Sequence, residues 1–134
     1  LDNHDTSIMA EYRELFGQLL ECTKHQLELL SAEESLERMT EVYLQSAEKW
    51  EEIRGAIDRM ALEFPTLKEI QDAALAETMK NIQAYLQMIE ARLSDSIHET
   101  GDDLRTVKDQ KMLMNAYYGM NRRGYHSFYF DEKK

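Results

Sequence analysis

One proline, five glycines and one cysteine in 134 residues leave little to break a helix or to cross-link the chain. A lone Cys22 excludes an internal disulfide. With no export signal visible, a reducing cytoplasm is the expected compartment. No apolar run approaches the roughly 20 residues that a membrane-spanning helix needs. Leu1 is not followed by the charged and apolar regions of a signal peptide, and Met9-Ala10-Glu11 reads as a native start. Val, Ile and Thr are sparse beside Leu, Glu, Ala, Lys and Met, a composition that favours helix throughout. At this length the chain is expected to form one domain.

The marks of catalysis are also missing. There is no Gly-rich phosphate loop, no nucleophile elbow and no triad, so no enzyme and no cofactor are expected. None of His4, His25, His98 and His126 pairs with another at helical spacing. His98-Glu99 resembles the start of a zinc-protease motif, but Asp102 stands where the second histidine is required. Cys22 and His25 are three apart with no matching pair elsewhere, and a site needs three or four converging ligands. No metal is expected.

The charge is −10 overall and unevenly spread. Residues 1–65 hold 15 acids against 6 bases, and residues 104–134 hold 7 bases against 3 acids. An acidic body of this kind repels a phosphate backbone, so a protein partner is expected rather than a nucleic acid.

What is present is helical periodicity. Asp5, Thr6 and Ser7 are acceptable caps for a first helix over about 7–30, with an apolar face of Ile8, Tyr12, Leu15, Phe16, Leu19, Cys22, Leu27 and Leu30. Ser31-Ala32-Glu33-Glu34 reads as a capping box that opens a second helix over 32–63. Its seam, Leu36, Met39, Tyr43, Ser46, Trp50, Ile53, Ile57 and Met60, steps by three and four without a slip. Pro65 ends it, and Thr66-Leu67-Lys68-Glu69 reads as a capping box for a third helix over 67–117. Leu75, Met79, Ile82, Leu86, Ile89, Leu93 and Ile97 carry the third seam. After a stutter it resumes at Thr100, Leu104, Val107 and Met114. Gly101-Asp102-Asp103 could cap one helix and open another. The resumption in phase favours a continuous or kinked helix. The expected fold is therefore all-α: an antiparallel three-helix bundle over 1–118, with a long third helix, and a C-terminal tail over 119–134.

Fifty residues from Leu67 to Ala116 would span about 75 Å, more than the first two helices can cover. Leu104, Val107, Met112 and Met114 are thus expected on an uncovered overhang. Beyond it six of the twelve aromatics crowd together as Tyr117, Tyr118, Tyr125, Phe128, Tyr129 and Phe130. These ten residues are the candidate partner-binding set. Exposed Met and aromatic residues call for a cover, and the cover is a partner, a second copy in a homodimer, or the folded-back tail.

Asn115-Ala116-Tyr117, followed by Ser127-Phe128-Tyr129-Phe130-Asp131-Glu132-Lys133-Lys134, resembles the C-terminus of FliT-type flagellar export chaperones. Many of these end in an Asn/Ala/Tyr stretch, a Gly-containing spacer and a Phe-Phe/Tyr-Asp-Lys-rich finish. Glu132 stands where a lysine is more usual. The resemblance covers about the last twenty residues. It implies a cytoplasmic chaperone that binds the filament-cap protein before type III export, contacts the export apparatus, and uses its C-terminal segment to tune those contacts. The alternative from the residues alone is a helical oligomerisation or scaffold module.

Overall fold

In the computed structural model the chain is described over residues 2–33, 35–96 and 106–118, and among these it is helical without a strand. The first helix, α1, runs over Asp2–Ala32. Its innermost stripe is Tyr12, Phe16, Leu19, Thr23, Gln26 and Leu30, each at most 1 % exposed. The steps alternate four and three, so one line of side chains stays on the buried side for about five helical turns. Cys22 and Leu27, expected at the centre of this face, are half-buried on its flanks. Spacing selected the polar Thr23 and Gln26 for the centre instead.

The second helix, α2, spans Leu36–Glu63, and its N-cap is Ser35, whose hydroxyl accepts from the Arg38 amide at 3.3 Å. The expected start at Ala32 with Ser31 as cap is corrected, because α1 continues through Ser31 to Ala32. Ser35, four residues on, takes the capping role. Met39, Tyr43, Trp50, Ile53, Ile57 and Met60 of the expected seam are buried. Ser46 is half-buried, and the side chain of Leu36 lies outside those described. The amide of Phe64 closes the helix on the Met60 carbonyl at 2.9 Å.

The third helix does not open at Thr66. Pro65–Glu69 forms a short 3-10 turn, η1, with Leu67 buried beneath it. Proline fits the first position of such a turn because no amide is required there. The next helix, α3, begins at Ala73 and runs to Ser96. Asp72 caps it, accepting from the Leu75 amide at 2.8 Å. The same carboxylate takes both Nε and Nη2 of Arg13, at 2.9 and 2.6 Å. Burial pushes the Asp72 carboxyl up, but the Arg13 and backbone donors outweigh it and hold the group below its ordinary range.

The final described helix, α4, covers residues 106–118. In one continuous helix Glu90 and Lys111 would be about 30 Å apart, yet they are ion-paired at 2.5 Å. Gln83 bonds Asn115 further along. Pairing of 90 with 111 and 83 with 115 means that α4 runs antiparallel to α3, back along the bundle. The expected overhang is therefore corrected: Val107 and Met114 are fully buried and Tyr117 is 7 % exposed. The question of a break at Gly101 falls on residues outside those described.

These contacts also set the packing. Thr23 meets Trp50 and the charge of Asp58 reaches Tyr12, so α1 and α2 are antiparallel. Arg13 meets Asp72 near one end, and Arg92 donates to the Glu33 carbonyl at 3.0 Å near the other, so α1 and α3 are parallel. Both α2 and α3 lie along α1 and hardly meet each other. α4 fills the cleft between them, reaching α2 through Tyr43–Gln110 and Tyr117–Asp58.

Trp50 is fully buried and its indole N–H donates to the Thr23 hydroxyl at 2.9 Å, which itself donates to the Leu19 carbonyl at 2.7 Å. Replacing it by alanine removes both the ring and the partner of that hydroxyl. Trp50→Ala should cost about 3–5 kcal/mol in chemical denaturation; a loss below about 1 kcal/mol would contradict its place in the core. Gln26 sits in the same stripe, fully buried, with neither amide atom hydrogen-bonded. An unpaired buried amide costs about 1–3 kcal/mol. Gln26→Met should accordingly raise stability, and a fall in the denaturation midpoint would show that the amide is paired after all.

Candidate functional site

The cleft between α2 and α3 is built by helices that share α1 as a common support. α4 lays one stripe into it: Val107, Gln110, Met114 and Tyr117, spaced three, four and three apart. That is the spacing of an amphipathic helix seated in a groove. The Tyr117 ring stands edge-on to Phe16 of α1 at 5.6 Å, and Phe16 in turn stands edge-on to Tyr12 at 5.2 Å. The three rings carry the floor of the cleft across to α4.

Polar contacts flank this stripe: Lys111 pairs with Glu90, Gln83 donates to Asn115, and Tyr117 donates to Asp58. Within it, buried, Tyr43 donates to Gln110. Asp58 also accepts from Arg54. Burial, and after it the Asp58 charge, pushes the Tyr12 hydroxyl up to about 12. Burial likewise raises the Cys22 thiol, with Lys49 pulling the other way. Gln110 is buried with its amide nitrogen unpaired. The α4 seat thus contains one imperfect contact among several good ones.

Of the ten candidate partner-binding residues, the fold brings Val107, Met114 and Tyr117 together in the cleft, pointing inward. Tyr118 is half-buried beside them. Met112 lies on the opposite face of α4 and is 68 % exposed. Met112 and Met114 are two residues apart, so a helix cannot present both on one side. Leu104, Tyr125, Phe128, Tyr129 and Phe130 lie outside the described residues. The groove partners Tyr43, Asp58, Gln83 and Glu90 were not legible as a site. They are polar residues on two helices, 7 to 47 positions apart, and only the packing of α4 gathers them.

Among the described residues no group of three or more His, Cys, Asp or Glu side chains gathers into a metal-binding cluster. No described helix is long and apolar enough to cross a membrane. The chain matches no family model, no curated protein and no solved structure. The functional reading therefore rests on this groove and the helix in it.

If α4 is a seated segment rather than part of the core of α1–α3, one charge beneath it should lift it alone. Met114→Asp should strip hydrogen-exchange protection from amides 106–118 while α1, α2 and α3 keep theirs. Equal loss of protection across all four helices would mean that α4 is integral to a single cooperative core.

Proposed function

We propose that this protein is a non-enzymatic chaperone that holds an amphipathic helix of a protein client in the α2–α3 cleft, and that the client is a flagellar cap-type export substrate. The observation that carries the reading is the seating of α4. The cleft accepts a helix through three apolar anchors and a rim of exchangeable polar contacts. A client helix bringing the same pattern would find every contact already in place. The cover would shield an assembly-competent segment until export. The resemblance of the chain's last twenty residues to FliT-type chaperones supports the choice of client class.

The site differs from the one expected on the overhang. There, Leu104, Val107, Met112 and Met114 were to grip the client; here, Val107 and Met114 fill the cleft from within and Met112 faces outward. The client therefore competes with α4, and apparent affinity is lowered by the fraction of molecules whose cleft is open. The alternative is a helical oligomerisation or scaffold module.

Calorimetric titration with the C-terminal region of a flagellar cap protein tests this. The intact chain should bind weakly. Met114→Asp should bind about tenfold or more tightly, as expected when a ligand no longer competes with a docked segment. A peptide of residues 104–118 in excess should displace the client. No binding to either form would end the chaperone reading, and binding with α4 still protected from exchange would move the client to another face.

A further inference from the structure

At one end of the bundle, where α2, η1 and α4 meet, lies a cavity of about 350 Å³ lined by Asp58, Leu62, Lys68, Leu113, Ala116 and Tyr117. It is open to solvent in a way that the apolar residues do not favour. Leu62 is 81 % exposed, the highest value of any large apolar residue described. Leu113 is only half-buried and Ala116 is exposed. The volume is at the small end of ligand pockets, enough for an aromatic side chain or two. Lys68 stands exposed on the rim and makes no ion pair among the described residues.

The chain itself carries a segment of complementary chemistry, tethered at the cavity wall. Tyr117 lines the cavity, and residues 119–134 follow from it. Phe128-Tyr129-Phe130 comes 11 to 13 residues on and is followed directly by the acidic pair Asp131-Glu132. A tether of that length reaches roughly 35–45 Å when extended, ample to double back on a cavity it starts beside. A short tether also holds its end at an effective concentration of the order of millimolar, so even a weak contact is occupied. Apolar rings would cover Leu62, Leu113 and Ala116, and the carboxylates would meet Lys68.

We propose that residues 128–132 dock in cis on this end of the bundle, with the Phe128-Tyr129-Phe130 rings in the Leu62–Leu113–Ala116 hollow and Asp131-Glu132 against Lys68. The docked segment lies on the outer side of α4 and braces it against α2. This site is separate from the α2–α3 cleft, and its occupation does not depend on whether that cleft takes a client.

The test uses the full chain with Cys22→Ser and Ser127→Cys, a nitroxide on the new thiol, and carbon-13 methyl labels on Leu and Met. Leu62 and Leu113 methyl signals should lose most of their intensity. Met88, exposed on the α1–α3 side of the bundle, should keep its own. Leu62→Glu, a change at an exposed position that spares the core, should restore the Leu113 signal. Lys68→Glu should restore it in part. An unattenuated Leu113, equal attenuation at Met88, or attenuation unaffected by Leu62→Glu would overturn the proposal. So would attenuation that appears only when nitroxide-bearing and methyl-labelled chains are mixed, since that places the contact between molecules.

Discussion

Three helices arranged as these are cannot close a core. α2 and α3 both pack along α1 and scarcely touch each other, so they leave a cleft whose floor is Phe16 and its neighbours. Apolar floor of that kind cannot stay in water without cost. Everything else in the fold follows from how the cleft is filled. α4 supplies Val107, Met114 and Tyr117 to it, and the chain's reversal beside α3 is the means of bringing them there. Arg13–Asp72 at one end and Arg92 on the Glu33 carbonyl at the other fix α3 along α1, one wall of the cleft on its support.

How α4 is held has a bearing on function. Its anchors are few, and around them stand contacts that water or another chain could replace: an amide pair, a lysine–glutamate pair, and the Tyr117 hydroxyl on Asp58. Paired polar groups at a partly exposed rim contribute little net stability, because each trades one hydrogen bond for another. Gln110 goes further, burying an amide nitrogen without a partner. Such a group weakens the seat while favouring one register over a slipped one. A helix held this way is ordered by its groove more than by its own propensity, since its thirteen described residues would be marginal as an isolated helix.

Much of the bundle was legible in residue spacing. Most seam positions of α2 and α3 are buried as their spacing predicts, from Met39 to Met60 with Trp50 among them, and from Leu75 to Leu93. Local competition between equivalent signals was not legible. Ser31 and Thr66 were read as caps, but Ser35 and Asp72 fill those roles, and Asp72 is also tied to Arg13. Polar core positions were missed because an apolar-only reading of α1 passes over Thr23 and Gln26 and settles on their apolar flanks. The largest error came from reading phase as continuity. A seam that resumes in step after an interruption is equally the pattern of a helix that returns to pack on its own predecessor. Periodicity cannot separate the two, because both demand apolar residues every three or four positions.

The same ambiguity explains why the candidate residues were nearly right and their role was not. Val107, Met114 and Tyr117 were singled out as apolar residues with no cover in sight, and they do seek one. What composition could not reveal was that the chain provides it. A stripe suited to grip a partner's groove is, physically, the same stripe that fills a groove of its own, so self-coverage and recognition draw on one set of contacts. That equivalence is what makes competition between α4 and a client helix a reasonable mechanism. The contacts that stabilise the closed molecule set the threshold an incoming helix must exceed, and a more apolar stripe than Val107, Gln110, Met114 and Tyr117 would exceed it.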